Sequence, residues 1–247
     1  MRKSEEYYNK KSNLYLLDLN KDTPHYKILN FINSLKGSLI ILDIGCATGY
    51  LGKELKKRGH QVYGVEISEK AGKEAEKVLN GVIIGDIEEI DLPFPENYFD
   101  IIICADVLEH LFNPKEVLIK LKKYLKNDGY LIASIPNIAN WKIRLELLKG
   151  KFEYKNIGLL DFGHIRFFTY YTAKKMFEET GYKIEYIDFN INLNDFPSVF
   201  KWVIRAILKN KSTMQIWKKI TRKFINFFGY QIIFVVSKKE GVKCLEK

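Results

Sequence analysis

The sequence predicts an α/β fold: a seven-stranded, mostly parallel sheet with helices on both faces, an antiparallel last strand and a helical insertion before that strand. Short apolar runs, which are typical of buried strands, alternate with amphipathic segments of helical periodicity over most of the chain. The last two apolar runs break this alternation, because a long basic segment at about 190–228 separates them. An antiparallel pair at the end of the sheet is the simplest arrangement of those two runs.

The predicted elements follow one another in a regular order. Strands are expected at 38–45, 61–67, 81–87, 98–107, 129–136, 182–189 and 229–237. Helices are expected at 50–58, 69–77, 114–124, 141–149 and 171–180. Asn113 and Pro114 have the residue types of a helix start, and Asn127-Asp128-Gly129 predicts a turn before the fifth strand.

Length and composition favour one sizeable globular domain. The chain has 247 residues, of which 47% are hydrophobic and 28% are charged, so it can bury a large core. We expect an N-terminal helical cap over 1–37 and an α/β domain over 38–247. Three cysteines without a CxxC pair argue against a disulfide framework and favour the cytoplasm. The polar N-terminus and the lack of a long apolar stretch predict neither a signal peptide nor a membrane span.

The segment ILDIGCATGYLG at 41–52 carries the strongest chemical signal. An apolar strand ends at Asp43, and Gly45 and Gly49 flank a tight turn into a helix. Glycines at such a turn allow a ligand to approach the backbone, and a helix start offers free N–H groups. The loop lacks the G-x-G-x-x-G spacing of a dinucleotide-binding loop, because Ala47 stands where that pattern requires glycine. The alternative is a strand-to-helix turn that binds nothing.

Acidic residues also close the next two predicted strands. Glu66 ends the second strand and is suited to accept hydrogen bonds from two ribose hydroxyls. Asp86 ends the third strand, and Ile87 follows it, so that a carboxylate and an apolar side chain are available to an adenine ring. Since the carboxyl ends of parallel strands share one edge, these residues predict a nucleoside-binding crevice. Each of them alone would equally fit a solvent-exposed strand end.

The run LDIGCATG, followed by GVEIS, GDIE and FDIIICADVLEHL, resembles the class I S-adenosylmethionine (SAM)-dependent methyltransferases, which have a Rossmann-like fold. The segments ASIPNIANW and GLLDFGHIRFFTYYTAKKMFEETGYKI resemble the branch of ubiquinone- and sugar-type O-methyltransferases. The resemblance covers Ile40 to Asp188, with Ala47 in place of the family's middle glycine. It implies SAM as the cofactor, with the methionine part on Asp43 and the glycine loop, the ribose on Glu66 and the adenine on Asp86. The cofactor-binding residues it implies are Asp43, Gly45, Cys46, Ala47, Gly49, Glu66, Ile67, Asp86, Ile87, Asp106 and Leu108.

Methyl transfer to oxygen usually requires a base for the acceptor's proton. His164 is the base candidate, because it lies in DFGHIR, a region that faces the acceptor in the resembled family, and Asp161 is its candidate orienting partner. The alternative is a histidine that holds this loop together. His110, in VLEHL, is expected to shape the pocket or to act as the base.

Other functional classes fit the sequence less well. The Asn/Asp-Pro-Pro-aromatic motif of nucleic-acid amino-methyltransferases is missing after the fourth strand, where Ala105-Asp106-Val107-Leu108 stand. No metal site is predicted, since the histidines and cysteines lack ligand spacing. The leading hypothesis is methyl transfer to a small molecule or glycan, at oxygen. A SAM- or nucleotide-binding protein without transferase activity is the alternative, and an NAD-linked oxidoreductase is disfavoured by the loop spacing.

The net charge of +10 is concentrated in one segment. Eight basic residues and no acidic residue lie between Val199 and Phe228: Lys201, Arg205, Lys209, Lys211, Lys218, Lys219, Arg222 and Lys223. Tryptophan and phenylalanine interleave with these charges. Three interpretations are open: a cover for the sheet or acceptor pocket, a peripheral contact with an anionic membrane or lipid-linked acceptor, and nucleic-acid binding. Aromatic stripes suit nucleic acid least, so no nucleic-acid partner is expected.

Overall fold

A seven-stranded sheet in the order β3-β2-β1-β4-β5-β7-β6 forms the centre of the protein. The computed structural model describes residues 23–192 and 219–239. The strands are β1 (Ile40–Ile44), β2 (Gln61–Glu66), β3 (Gly81–Ile84), β4 (Phe99–Ala105), β5 (Leu125–Pro136), β6 (Tyr182–Phe189) and β7 (Gln231–Lys238). Strands β1 to β5 are parallel, and β7 is antiparallel to both of its neighbours, β5 and β6. The predicted fold class is therefore confirmed.

The helices follow the strands in the expected alternation. They are α1 (Pro24–Ser34), α2 (Tyr50–Lys56), α3 (Glu69–Glu76), α4 (Pro114–Tyr124), α5 (Trp141–Leu148), α6 (Tyr170–Glu179) and α7 (Ile225–Phe228), with a short 3-10 turn at Leu108–His110. Most of the predicted basic insertion, 193–218, lies outside the described residues. Residues 219–223 and α7, which end it, are helical.

One local prediction was wrong. The turn predicted at Asn127-Asp128-Gly129 is a bulge within β5, because the register against β4 jumps from Leu125 to Tyr130. The predicted helix start is confirmed: Asn113 is the N-cap of α4 and Pro114 its first residue, although the Asn113 side chain makes no capping hydrogen bond with a described residue. Its backbone N–H donates instead to Glu88 Oε1 at 2.6 Å.

Helices cover both faces of the sheet, since neighbouring residues along a strand point to opposite sides. On one side, α4 and α6 pack against Leu42 and Ile102; on the other, α1, α2 and α3 pack against Ile41 and Ile101. Helix α1, the described part of the proposed N-terminal cap, thus shares a core with β1. The division at residue 37 stays a prediction. Within the described ranges, no helix is long and apolar enough to cross a membrane.

Candidate active site

A cavity of about 260 Å³ opens where β1, β2 and β4 end. Parallel strands bring these carboxyl ends to one edge of the sheet, which is where α/β proteins bind ligands. Its walls include many of the predicted cofactor residues: Gly45, Ala47, Glu66, Ile67, Asp86, Ile87 and Asp106. Asp43, Cys46 and Leu108 are buried next to this wall, and Gly49 is the N-cap of α2. The cavity therefore brings together the strand ends that the sequence singled out.

The loop after β1 is held against β2 by its own backbone. The N–H groups of Gly45 and Cys46 donate to the Val65 carbonyl at 2.8 and 3.1 Å. Gly45 has a φ of 69°, and a Cβ there would lie 2.8 Å from a Val107 methyl group, so a side chain would crowd the cavity edge. Ala47, at the middle-glycine position, adopts a φ of 48°, which is costly for a residue with a Cβ. The loop keeps the glycine-like path despite this replacement.

Glu66 lies at the end of β2 and is only 7% exposed. Its two carboxylate oxygens each accept one backbone hydrogen bond at 2.8 Å, from Ala47 and Ser68. Burial raises the pKa of Glu66, and the hydrogen bonds from Ser68 and Ala47 oppose that rise. A carboxylate has about four acceptor sites, so this side chain can also accept hydrogen bonds from the hydroxyls of a ribose in the cavity. The residues present therefore fit the nucleoside of SAM.

Asp43 places a second carboxyl beneath the glycine loop. Its side chain is 3% exposed, and burial, with a smaller effect from Glu66, raises its pKa to about 7. Two carboxyls in one dry site favour a positively charged ligand, because their mutual repulsion is relieved by a cation. SAM carries an ammonium and a sulfonium, so the charge of the site also fits this cofactor.

Asp106, directly after β4, has an unusual backbone φ of 55°. The Ser134 hydroxyl donates to its Oδ1, and the Gln231 amide lies 2.8 Å from both carboxylate oxygens. Burial raises the pKa of Asp106, and the Ser134 hydrogen bond is the largest opposing effect. Residues from β5 and β7 thus fix the strained turn that enters the cavity.

Two histidines pack edge to face at one side of the cavity. His110 lines the cavity, and the ring of His164 lies behind it, with ring centroids 4.8 Å apart. The Nδ1 atoms contact backbone carbonyls, Gly163 O at 2.8 Å for His110 and Leu159 O at 3.1 Å for His164. A carbonyl only accepts, so each Nδ1 carries a proton. In the neutral ring the lone pair is then on Nε2, the form that serves as a base or a metal ligand.

Two acidic residues surround this histidine pair. Glu109 is 1% exposed, and among the described residues neither of its carboxylate oxygens has a hydrogen-bond partner. Its Oε1 lies 3.9 Å from Nε2 of His164. Asp161 Oδ1 accepts a hydrogen bond from the Gly163 N–H at 2.8 Å, which shapes the loop before His164. The role of Asp161 as an orienting partner of His164 stays a prediction, as does the assignment of the base.

An aromatic cluster, formed by Phe152, Tyr154, Phe162 and Phe167, lies on the same side. Phe152 and Tyr154 pack edge to face, and Tyr154 stacks on Phe162. Phe167 joins the cluster and lies 6.5 Å from the ring of His164. Phe152, Tyr154 and Phe162 are exposed. Flat side chains in solvent next to a polar site are suited to contact the ring of a ligand.

Sequence reasoning missed several cavity residues. His25 from α1 and Tyr50 from α2 line the cavity, and the Tyr50 hydroxyl lies 3.3 Å from His25 Nε2. Tyr50 directly follows the glycine loop, and that position was a usable signal. No sequence signal marked His25, because only the packing of α1 on the sheet brings this residue to the strand ends. Phe112, 65% exposed at the cavity rim, follows the VLEHL motif and was detectable by its position.

Comparisons with known proteins agree with this geometry. The model of the methyltransferase domain family matches residues 42–133. An uncharacterized methyltransferase of Geobacillus sp. is 28% identical over 187 residues, which cover 73% of this chain and 82% of that protein. The ubiquinone biosynthesis O-methyltransferase of Nitrosomonas europaea is 31% identical over 118 residues, which cover 44% of this chain and only half of that enzyme.

The same fold occurs in solved structures. A SAM-dependent methyltransferase from Archaeoglobus fulgidus superposes with a TM-score of 0.59 at 23% identity, over 87% of this chain and 92% of that one. At this identity the likeness concerns the fold alone. The family match, the similarity to named methyltransferases and the cavity confirm the predicted enzyme class and the predicted cofactor, S-adenosylmethionine. Residues 42–133 thus match the methyltransferase domain family, and the chain is similar to SAM-dependent methyltransferases, among them the ubiquinone O-methyltransferases.

Proposed function

We propose that the enzyme transfers the methyl group of SAM to a hydroxyl oxygen of a small-molecule or glycan acceptor. One observation carries the proposal: His110 lines the cofactor cavity and packs against His164, and carbonyls hold the Nδ1 atoms of both rings. A hydroxyl must lose its proton during methylation, and a fixed Nε2 lone pair is suited to accept it. The exposed aromatic cluster beside this pair is suited to a ring-shaped acceptor.

The chain's residues divide the work between binding and proton transfer. Bound SAM supplies a methyl group on a positively charged sulfur. Glu66 and Asp86 hold the nucleoside, and Asp43 with the glycine loop holds the methionine part. His164 accepts the hydroxyl proton, with His110 as the other candidate, while the oxygen forms a bond to the methyl carbon and the carbon–sulfur bond breaks. The products are a methyl ether and S-adenosylhomocysteine, and positioning the oxygen in line accounts for much of the rate.

A lipid-linked acceptor at an anionic membrane surface is the second candidate. It is supported by the described end of the basic segment, where Lys219, Arg222 and Lys223 alternate with the exposed apolar residues Ile220, Phe224 and Phe227. Basic and aromatic side chains on one exposed element are typical of helices that lie on membranes.

A labelled-methyl transfer assay tests the proposal. The protein is incubated with methyl-labelled SAM and matched acceptors that present a phenol, a catechol, a sugar hydroxyl, an amine or a thiol on similar rings. We expect label in an ether product from at least one hydroxyl acceptor, with an equal amount of S-adenosylhomocysteine. Transfer only to amine or thiol acceptors would contradict the proposal. The same assay with anionic vesicles that carry a lipid-linked hydroxyl acceptor tests the second candidate.

A further inference from the structure

Asp106 places a carboxylate at the fourth strand end along the cofactor edge of the sheet. The strands run in the order β3-β2-β1-β4 along this edge. Asp86 follows β3, Glu66 ends β2 and the glycine loop follows β1, so the predicted adenine, ribose and methionine positions occupy three strand ends in turn. Asp106 directly follows β4 and lines the same cavity. Its carboxylate therefore lies next to the predicted methionine position.

Among the described residues, only neutral groups donate hydrogen bonds to this carboxylate. The Ser134 hydroxyl donates to Oδ1 at 2.8 Å, and the Gln231 side-chain amide donates to both oxygens at 2.8 Å. Such hydrogen bonds favour the charged form of a carboxylate, and neutral donors leave its charge in place. A half-buried negative charge at the wall of a cavity attracts a positively charged ligand group.

The Gln231 amide is itself fixed, and this determines which group it presents to Asp106. Its Oε1 accepts a hydrogen bond from the Asn190 side chain at 3.3 Å, and its backbone N–H donates to Asn190 Oδ1 at 2.7 Å. The NH₂ group of Gln231 is thereby directed at Asp106. This support holds the Asp106 backbone at its φ of 55°, and unusual backbone conformations that surrounding contacts maintain are concentrated at ligand sites.

We propose that the Asp106 carboxylate, positioned by Gln231, recognises the positive charge on the sulfur of SAM and so raises the affinity for SAM relative to S-adenosylhomocysteine. The two molecules differ in the methyl group and in the charge that it gives to the sulfur. After transfer the sulfur is neutral, so the attraction to Asp106 is lost and the product leaves more readily. The role is selective binding, not acceleration, because the charge on the sulfur already fades in the transition state.

Calorimetry with three ligands tests this role without an acceptor. SAM carries a positive charge on its sulfur, sinefungin carries an ammonium group in place of the methyl group, and S-adenosylhomocysteine has a neutral sulfur. Asp106→Asn removes the carboxylate charge and keeps the shape of the side chain. It should weaken binding of SAM and sinefungin by about 10- to 100-fold, because an attraction between charges in a partly dry site is lost, and of S-adenosylhomocysteine by less than about threefold.

Gln231→Met tests the positioning role, because it removes the amide and retains a side chain of similar length. It should lower the preference for SAM over S-adenosylhomocysteine by about 3- to 10-fold, less than Asp106→Asn does, since the carboxylate remains. The matched controls are Asp128→Asn, at an exposed position of β5, and Gln61→Met, at the exposed start of β2. Both should bind all three ligands as the wild type does.

A loss of affinity that is equal for all three ligands would show that Asp106 only shapes the loop, and it would refute the proposal. Unchanged SAM affinity in a folded Asp106→Asn protein would refute it as well. Thermal unfolding verifies the fold of each variant. If Asp106→Asn does not fold, Gln231→Met decides: a loss confined to the charged ligands supports the proposal, and any other result refutes it.

This inference concerns the cofactor alone and applies to any acceptor. Its failure in calorimetry would leave the proposed hydroxyl acceptor in place. Labelled-methyl transfer only to amines would refute the proposed function and leave the role of Asp106 unaffected.

Discussion

The Glu66 carboxylate accepts a hydrogen bond from the Ala47 N–H at 2.8 Å, which ties the end of β2 to the loop after β1. The other oxygen accepts from Ser68, the N-cap of α3. One side chain therefore holds the two loops that flank the cofactor cavity, and the same side chain lines that cavity. Its removal should affect the cofactor more than the fold.

Glu66→Ala should weaken SAM binding by about 2–3 kcal/mol, or about 30- to 150-fold, because hydrogen bonds to a charged group are lost. Isothermal calorimetry with SAM and S-adenosylhomocysteine measures the change, and thermal unfolding verifies the fold. Glu74→Ala, at an exposed position of α3, is the control and should bind normally. Unchanged affinity in a folded Glu66→Ala protein would remove Glu66 from the site.

Ala47→Gly should stabilise the protein by about 1 kcal/mol, because Ala47 holds a φ of 48° that costs a residue with a Cβ roughly that much or more. The gain is limited by the greater freedom of glycine in the unfolded chain. Urea unfolding measures the free energy. SAM affinity should change by less than about threefold, since the loop path is already that of glycine. A destabilised variant would show that the Ala47 methyl group makes a packing contribution larger than the strain.

The pKa of Asp43, raised to about 7 by burial and then by Glu66, makes stability depend on pH. The folded pKa exceeds the unfolded one, so the folded state holds an extra proton between about pH 4 and 7. The contribution of Asp43 to the free energy of unfolding of the cofactor-free protein therefore falls as the pH rises through that range. From pH 5 to pH 7, the free energy of unfolding of Asp43→Asn should rise by about 2 kcal/mol relative to that of the wild type.

Urea unfolding at several pH values, for Asp43→Asn, the wild type and the exposed-site control Asp91→Asn, checks this difference. Parallel profiles for wild type and Asp43→Asn would mean that Asp43 keeps an ordinary pKa. Added S-adenosylhomocysteine should reduce the difference, because its ammonium favours the charged carboxylate.

His164→Ala should lower kcat by about 10²–10⁴-fold, the usual effect of losing a proton acceptor. SAM affinity should stay within about threefold, because His164 lies behind His110 and away from the predicted nucleoside residues. Steady-state kinetics with the first acceptor identified, and calorimetry with SAM, separate the two quantities. Full turnover in the variant would return His164 to a structural role in its loop and make His110 the base candidate.

Binding to anionic vesicles should depend on the basic segment 199–228. Each basic residue near an anionic surface contributes about 1 kcal/mol, and this attraction weakens at 1 M salt, where the Debye length is about 3 Å. Co-sedimentation with anionic and neutral vesicles at low and high salt measures it. Replacing Lys201, Arg205, Lys209 and Lys211 by glutamine should weaken binding by about 4 kcal/mol, or about 1,000-fold, and leave SAM affinity unchanged. A wild type that does not bind anionic vesicles at low salt would refute the membrane interpretation and favour the pocket cover.

The mostly parallel sheet and the edge where its strand ends meet were predictable because they depend on local signals. Apolar runs ending in Asp43, Glu66 and Asp86 indicate parallel strands, and the carboxyl ends of such strands must meet at one edge. Contacts between segments that are far apart in the sequence have no local sequence pattern that predicts them. The Gln231 side chain that holds Asp106, and the approach of His164 to Glu109, depend on how β7 and the loop before α6 pack.

The position of β7 between β5 and β6 constrains the order in which the molecule assembles. During synthesis β6 emerges before β7, yet β7 is its neighbour in the sheet, so β6 cannot join until β7 has inserted. Gln231 arrives with β7 and completes the support of Asp106 at the cofactor edge. Such long-range pairing slows folding. The Asp106 turn at the edge of the cavity therefore gains its full support only after β7 has been synthesised and has inserted between β5 and β6.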